Sequence, residues 1–209
     1  MKSYIKEFSE RPQYLSERLY FERFHGGSKG PILEIGCSVG HHTQFGGDRK
    51  IGIDFDIDAL RIARSKGFTV ANADVQLGLP FKDGSFTSID CQHVIEHVES
   101  PLFLMRECHR VLGPAGRAVI VTPNVQSIGF KFYADYTHIR PFTKTSLERV
   151  AYDAGFSRYT VLYSYTGIPL TKLLHTRGWL SIQGALAVQT FFYQLGMKVK
   201  DTLVLVAEK

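Results

Sequence analysis

The sequence predicts an α/β fold: a seven-stranded, mostly parallel sheet with helices on both faces. Three observations predict it. Short apolar runs alternate with segments of helical period from residue 30 onward, the pattern of a parallel sheet covered on both sides. An apolar run at 32–35 breaks at once into Gly36, Ser38 and Gly40, the small-residue turn that lets a backbone approach a ligand closely. The 209 residues suffice for one domain with a full core and a modest insertion. We expect an N-terminal helical arm over 1–30, a single domain over 31–209, and a lid-like helical insert at 164–197 before the last strand.

In the arm, Tyr14, Leu15, Leu19, Phe21 and Phe24 recur at three- and four-residue spacings among charged residues, an amphipathic helix that Gly26 and Gly27 end. The first strand is 32–35, and a helix is expected from Gly40. The second strand, 50–54, ends on Asp54. A helix over 57–66 follows with Leu60, Ile62 and Ala63 as its apolar side, then a third strand at 68–71 leading into Asp74 and Val75. The fourth strand, 87–92, ends on Gln92 and runs into His93. Ser100 and Pro101 signal a helix start, with Ser as N-cap and Pro at the first helical position. That helix reaches Leu112, burying Leu102, Met105, Cys108, Val111 and Leu112, and Gly113-Pro114 stops it. A fifth strand at 117–122, a helix at 146–154, and strands at 159–163 and 202–207 complete the set.

Composition excludes several classes. Hydrophobic residues make up 44% and charged residues 22%, ordinary for a globular protein. Net charge is +5 without a run of basic residues, which does not favour nucleic acid. Cys37, Cys91 and Cys108 include no C-x-x-C pair, so neither a disulfide framework nor a cysteine zinc site is expected. Lys2, Lys6, Glu7 and Glu10 make the N-terminus unlike a signal peptide, and the protein reads as cytoplasmic.

The turn carries the chemistry. A dinucleotide fingerprint would read G-x-G-x-x-G, but Gly36, Ser38 and His41 occupy those places. Glu34 stands two positions before the first glycine, where it would repel a pyrophosphate and accept a cation. Asp54 falls at the end of strand two, beside the first turn, where a carboxylate accepts hydrogen bonds from both hydroxyls of a ribose; the alternative is a helix N-cap, a task Asp56 or Asp58 can perform. Asp74, directly after strand three, can bind the exocyclic amine of an adenine, or serve as a turn carboxylate.

Glu-x-Gly-x-Ser-x-Gly from Glu34 to Gly40, Asp54, Ala73-Asp74, Leu79-Pro80-Phe81 with Ser85, Phe86 and Asp90, Glu96-His97-Val98, and Arg110 through Gly116 form an ordered series. The series resembles the class I S-adenosylmethionine-dependent methyltransferases, of the small-molecule type related to ubiquinone and sugar O-methyltransferases, over about residues 30–160. Ser38 departs from the glycine that family more often has. The resemblance implies a Rossmann-like fold and S-adenosyl-L-methionine as cofactor. It implies that Glu34, Gly36, Cys37, Ser38 and Gly40 hold the amino-acid end, that Asp54 takes the ribose with Phe55 packed on the adenine, and that Asp74 and Val75 read the adenine edge. Gln92 falls near the methionine portion, with His93 beside it. The reaction implied is in-line methyl transfer, in which positioning supplies much of the catalysis.

Two further segments are open. His93, Glu96 and His97 match H-x-x-E-H, a zinc-protease pattern, but no third ligand is evident and no metal is expected; His97 packs beneath the site or faces the substrate. Residues 135–143 carry Asp135, Tyr136, His138 and Arg140 and resemble the Asp-x-Thr-His-x-Arg-x-Phe-Thr segment of sugar- and lipid-directed relatives. His138, whose free pKa is near neutral, is the candidate general base with Asp135 beside it; alternatively both fasten the loop. Between Arg177 and Lys198, twenty residues carry no charge, suited to a lid over an apolar acceptor, a peripheral membrane contact through 178–196, or a homodimer contact. The expected activity is methylation of a sugar, lipid-linked or quinone-like acceptor, with a non-catalytic cofactor-binding regulator and an RNA methyltransferase as alternatives.

Overall fold

Seven strands form one sheet: β1 (Ile32–Ile35), β2 (Lys50–Asp54), β3 (Val70–Asn72), β4 (Phe86–Gln92), β5 (Leu112–Pro123), β6 (Arg158–Tyr165) and β7 (Lys198–Glu208). Their order is β3-β2-β1-β4-β5-β7-β6. The first five run parallel, and β7 is antiparallel to both neighbours. The order reverses at β1, so the carboxyl ends of β1 and β4 open a crevice where ligands enter such sheets. The computed structural model describes residues 14–165, 175 and 178–209. Residues 1–13 of the expected arm, and 166–174, 176 and 177 of the expected insert, lie outside the described residues.

The helices are α1 (Tyr14–Phe24), α2 (Ile57–Ser65), α3 (Pro101–Val111), the single-turn α4 (Val125–Ile128), α5 (Lys144–Asp153) and α6 (Ile182–Gln194). Strand alternation sorts the core. Ala118 and Ile120 of β5, with Leu203 and Leu205 of β7, join Leu104, Met105 and Cys108 of α3 and Leu147 of α5 in the main apolar cluster. Val119, Val121 and Val204 face the other way, onto Tyr20 and Phe24 of α1. Leu15 and Leu19 of α1 in turn pack with Ala185 of α6. The arm helix is therefore part of the layer covering one face of the sheet.

Several elements differ from expectation. No α-helix follows Gly40; two single-turn 3-10 helices, Thr43–Phe45 and Gly47–Arg49, fill the short connection instead. Gly46 and Gly47 sit where the helix would run, and glycine costs about 1 kcal/mol per helical position. Ile62 of α2 is exposed and Ala59 is buried in its place; Leu102 of α3 is half-buried and Leu104 takes the core. β3 starts at Val70 because Gly52 of β2 pairs there. Gly113-Pro114 belongs to β5: the strand begins where α3 ends, pairs Leu112 with Phe86, and shifts register before Ser88 meets Arg117, as a bulge does. Helix α5 starts two residues early because Thr143 and Ser146 form a reciprocal capping box.

Candidate functional site

The turn after β1 is held by its neighbours. The Gly36 and Cys37 amides both donate to the Ile53 carbonyl, at 2.9 and 3.0 Å, and the Ser38 amide donates to Asp54 Oδ2 at 2.8 Å. Gly36 has φ +75°, and a Cβ there would stand 2.4 Å from Val94 Cγ2; glycine is required on both counts. Ser38 carries a side chain at φ 46°, a region that non-glycine residues seldom occupy.

Two cavities meet at this turn. One, of about 490 Å³, is lined by Asp54, Phe55, Asp74, Val75, His97 and Thr137. The other, of about 380 Å³, is lined by Glu34, Cys37, Ser38, His42, Asp90 and Gln92. Gly36 and His93 line both. Each volume lies in the range of about 300–1,000 Å³ of small-molecule sites. Asp56 caps α2, accepting from the Asp58 and Ala59 amides. Asp54 Oδ1 accepts from the Asp56 amide at 2.9 Å, so its carboxylate is oriented from two sides. Asp74 Oδ1 accepts from the Gln76 amide and caps the turn Val75–Leu77, so the turn-carboxylate reading describes one of its oxygens.

Beneath the second cavity lies a buried charge cluster. Lys50 is 1% exposed. Its ammonium donates to Asp90 Oδ2 at 2.9 Å and to the His42 carbonyl at 3.1 Å, and lies 3.4 Å from Glu34 Oε2. Thr43 donates to the same Glu34 oxygen at 2.6 Å. Asp90 Oδ1 accepts from Tyr20 at 3.2 Å and from Gln92 Nε2 at 3.1 Å. His25 reaches Ser88 Oγ through Nδ1 at 2.8 Å. Parallel pairing of Glu34 with Asp90 brings two carboxylates to one ammonium, and α1 closes over them. Burial pushes both carboxyls up, but Lys50 and His25 outweigh it at Asp90 and hold that group well below the usual value. At Glu34 burial wins over Lys50 and its pKa is raised, in keeping with the longer contact. Burial pushes the Cys37 thiol up to about 12, which leaves it an unreactive packing group.

The loop after β4 is strained at His93, φ 54°. His93 Nδ1 lies 3.1 Å from Glu96 Oε1. Glu96 and His97 belong to the single 3-10 turn Ile95–His97, so His93 and His97 do not share a helix. Residues 135–140 are tied to this loop: the Ile139 and Arg140 amides both donate to the Glu96 carbonyl, and Arg140 donates to the Glu99 carbonyl. Asp135 Oδ1 accepts from the Thr137 amide and hydroxyl, which lowers its pKa. The His138 ring packs tilted against those of Phe132 and His97, with centroids 4.7 Å away in each case. His138 and Asp135 line neither cavity, because the loop folds their side chains behind His97 and into a turn; of the three expected catalytic residues, His93 alone faces the open space.

Residues 33–120 match a family model described as a methyltransferase domain. A protein of Mycolicibacterium smegmatis named a probable S-adenosylmethionine-dependent methyltransferase is 28% identical, covering 75% of this chain and 63% of that one. The chain belongs to the class I S-adenosylmethionine-dependent methyltransferases. A ubiquinone biosynthesis O-methyltransferase of Psychrobacter arcticus is 31% identical, with 72% and 66% covered. The crystal structure of a SAM-dependent methyltransferase from Archaeoglobus fulgidus shares the fold, with a TM-score of 0.68, 21% identity, and 99% and 98% of the chains covered. The chain spans about half to two thirds of the length of the curated relatives it matches.

In this methyltransferase, the residues expected from the sequence that line the two cavities are Glu34, Gly36, Cys37, Ser38, Asp54, Phe55, Asp74, Val75, Gln92 and His93. Gly40 shapes the turn from outside them, its α-carbon under the Phe68 ring. The residue missed is Lys50, which reads as an ordinary strand start. Its signal is a lysine two residues before Gly52, on the same face as Glu34. Thr137 and His42 were also missed as lining residues.

Proposed function

We propose that the chain transfers the methyl group of S-adenosylmethionine to an oxygen of a small molecule of the sugar, lipid-linked or quinone-like kind. The observation that carries this is the pair of cavities sharing Gly36 and His93, one with the carboxylates Asp54 and Asp74, the other with the Glu34, Asp90 and Lys50 cluster. The donor set suits the cofactor. Asp54, fixed by two backbone amides, accepts the ribose hydroxyls; Asp74 and Val75 meet the adenine edge, with the exposed Phe55 ring against its face. Two carboxylates against one ammonium leave an acidic excess that favours a cationic amino-acid tail along Glu34, the 36–40 turn and Gln92. When bound, the cofactor supplies an electrophilic methyl group on a positively charged sulfur.

The chain's own task is to hold the acceptor oxygen in line and keep water out. His93, common to both cavities, stands where the reacting atoms meet. Helix α6, which packs on α1, belongs to the described part of the insert, and we read it as a cover for that side. No helix among the described residues is long and apolar enough to cross a membrane. The O-methyltransferase named above supports an oxygen acceptor, and the exposed apolar residues Trp179, Phe191 and Leu195 support an apolar one. Calorimetry with S-adenosylmethionine, followed by tritiated methyl transfer to quinols, glycans, lipids and RNA, tests the reading. Cofactor binding with transfer to a hydroxylated small molecule is expected. No binding, or transfer confined to RNA, overturns it.

A further inference from the structure

Glu96, His97 and His138 each offer a ligand atom, and these atoms lie within 4.8 Å of one another. We propose that they form a site for a divalent transition cation of the zinc type. The inference deepens the methyl-transfer reading and rests on it only for the cation's use, not for its binding.

The hydrogen bonds fix both imidazoles as ligands. His138 Nδ1 lies 2.7 Å from the Phe132 carbonyl oxygen, an acceptor, so Nδ1 donates there and Nε2, 4.0 Å from Asp135 Oδ2, is the nitrogen left to meet a cation. His97 Nδ1 lies 2.9 Å from Thr137 Oγ1 and 3.2 Å from the Thr137 carbonyl oxygen. The Thr137 hydroxyl spends its proton on Asp135 Oδ1 at 2.6 Å, so His97 must donate through Nδ1 and likewise leaves Nε2 bare. A ring proton given to a carbonyl or hydroxyl while the other nitrogen faces a metal is the usual outer arrangement of histidine ligands. The two rings lie with their centroids 4.7 Å apart, and each offers a ring nitrogen within 4.8 Å of the other and of a Glu96 oxygen.

Glu96 supplies the charge. It is 0% exposed, and among the described residues its ion-pair partner is His93 alone. Thr122 donates to its other oxygen at 3.0 Å. A buried carboxylate without lysine or arginine calls for a cation. Two imidazoles and one carboxylate form a zinc-type set with an open coordination position, and imidazole favours zinc over magnesium. Donors at about 2.0–2.2 Å from zinc are closer together than 4.8 Å, so binding draws the three side chains inward by small rotations.

The open position has a use. His97 and Thr137 line the larger cavity beside His93. An acceptor hydroxyl completing the coordination would lose its proton more readily, as metal-bound water does. The O–H bond breaks, the proton goes to solvent, and the oxygen's retained pair forms the bond to the methyl carbon while the sulfur keeps the pair of the bond it loses. His138 then serves as a ligand, not as the base the sequence suggested.

The test uses the full chain freed of metal by chelation, titrated with zinc(II) by calorimetry and with cobalt(II) by visible absorption. One cation per chain is expected, with cobalt bands of a nitrogen- and oxygen-ligated site. Binding should vanish in His97→Ala and His138→Ala and weaken about tenfold in Thr137→Val, which removes the ring's outer partner. His109→Gln, outside the site, should bind as the parent does. Circular dichroism checks the fold, and Glu96→Gln serves as a further variant if either alanine variant unfolds. No stoichiometric binding by the parent, or equal binding by folded variants, overturns the proposal. Calorimetry with S-adenosylmethionine on the same metal-free samples separates this from the methyl-transfer reading: cofactor binding without cation binding defeats the site alone.

Discussion

Replacing Lys50 by methionine keeps an apolar stem beside Gly46 and removes the ammonium that Asp90 and Glu34 share and that lies 5.4 Å from the Phe21 ring centroid. In the parent, the three N–H directions of Lys50 are taken by Asp90 at 2.9 Å, the His42 carbonyl at 3.1 Å and Glu34 at 3.4 Å. Without it, two carboxylates, 1% and 5% exposed, face each other across paired strands. Removing one partner of a buried pair costs about 3–5 kcal/mol. At a urea slope of about 2 kcal/mol per molar, the unfolding midpoint should fall by roughly 1.5–2.5 M. The pH dependence sharpens the test. The folded pKa of Lys50 is raised by Asp90 and Glu34, which outweigh its burial, so its contribution is complete below 10.5 and is lost as pH rises through the folded value. The folded pKa of Asp90 is depressed, so its contribution is present above 3.8 and is lost as pH falls through the folded value. Glu34 is raised and has the opposite sign: its contribution is present below 4.5 and is lost as pH rises through the folded value. The deficit of Lys50→Met should therefore be largest near neutral pH and shrink on acidification, as protonated carboxyls need no counter-charge. Urea titrations of both proteins at a series of pH values measure this. A midpoint shift under about 0.5 M at pH 7, equivalent to about 1 kcal/mol, or a deficit independent of pH, would refute the reasoning.

Other substitutions probe the remaining links. Asp54→Ala should weaken S-adenosylmethionine by about 1.5–3 kcal/mol, the worth of hydrogen bonds to a charged group, while leaving the cation site intact; calorimetry would show it, and unchanged affinity would remove Asp54 from the site. Gly36→Ala places a methyl group 2.4 Å from Val94 Cγ2 at a positive φ and should cost about 1–3 kcal/mol, together with cofactor affinity; a variant as stable as the parent would contradict the packing at the turn. Thr143→Ala removes the capping box of α5 and should lower stability by about 1 kcal/mol without affecting ligand binding, as thermal unfolding with and without cofactor would record.

Much of this was legible in the chain because it is written in local terms. Ser100 and Pro101 start α3 whatever lies around them, the apolar runs mark the strands, and the spacing from Gly36 to Asp54 follows from one strand, one connection and the next strand. Where several neighbours compete, local reading fell short. Gly46 and Gly47 left the 36–49 connection without its helix, and strand pairing drew Gly113 and Pro114 into β5. Ile62 turned outward because Ala59, Leu60 and Ala63 form the buried side of α2. For the site, the walls came from residues beside turns, whose place is set by the strand ends. Lys50 escaped notice because nothing in its own segment shows that Glu34 and Asp90 lie on the same face of the sheet.

The sequence alone determined the succession of strands, the small-residue turn after the first of them, the acidic residue before that turn and the carboxylates at strand ends, since each depends on backbone preference and residue spacing. Tertiary structure alone decided which polar groups meet. Parallel pairing set Glu34 beside Asp90 and brought Lys50 beneath them. The 135–140 segment, fastened to the Glu96 carbonyl, laid His138 on His97 across forty residues of chain. Contacts of that range depend on register and packing, which no stretch of sequence contains by itself.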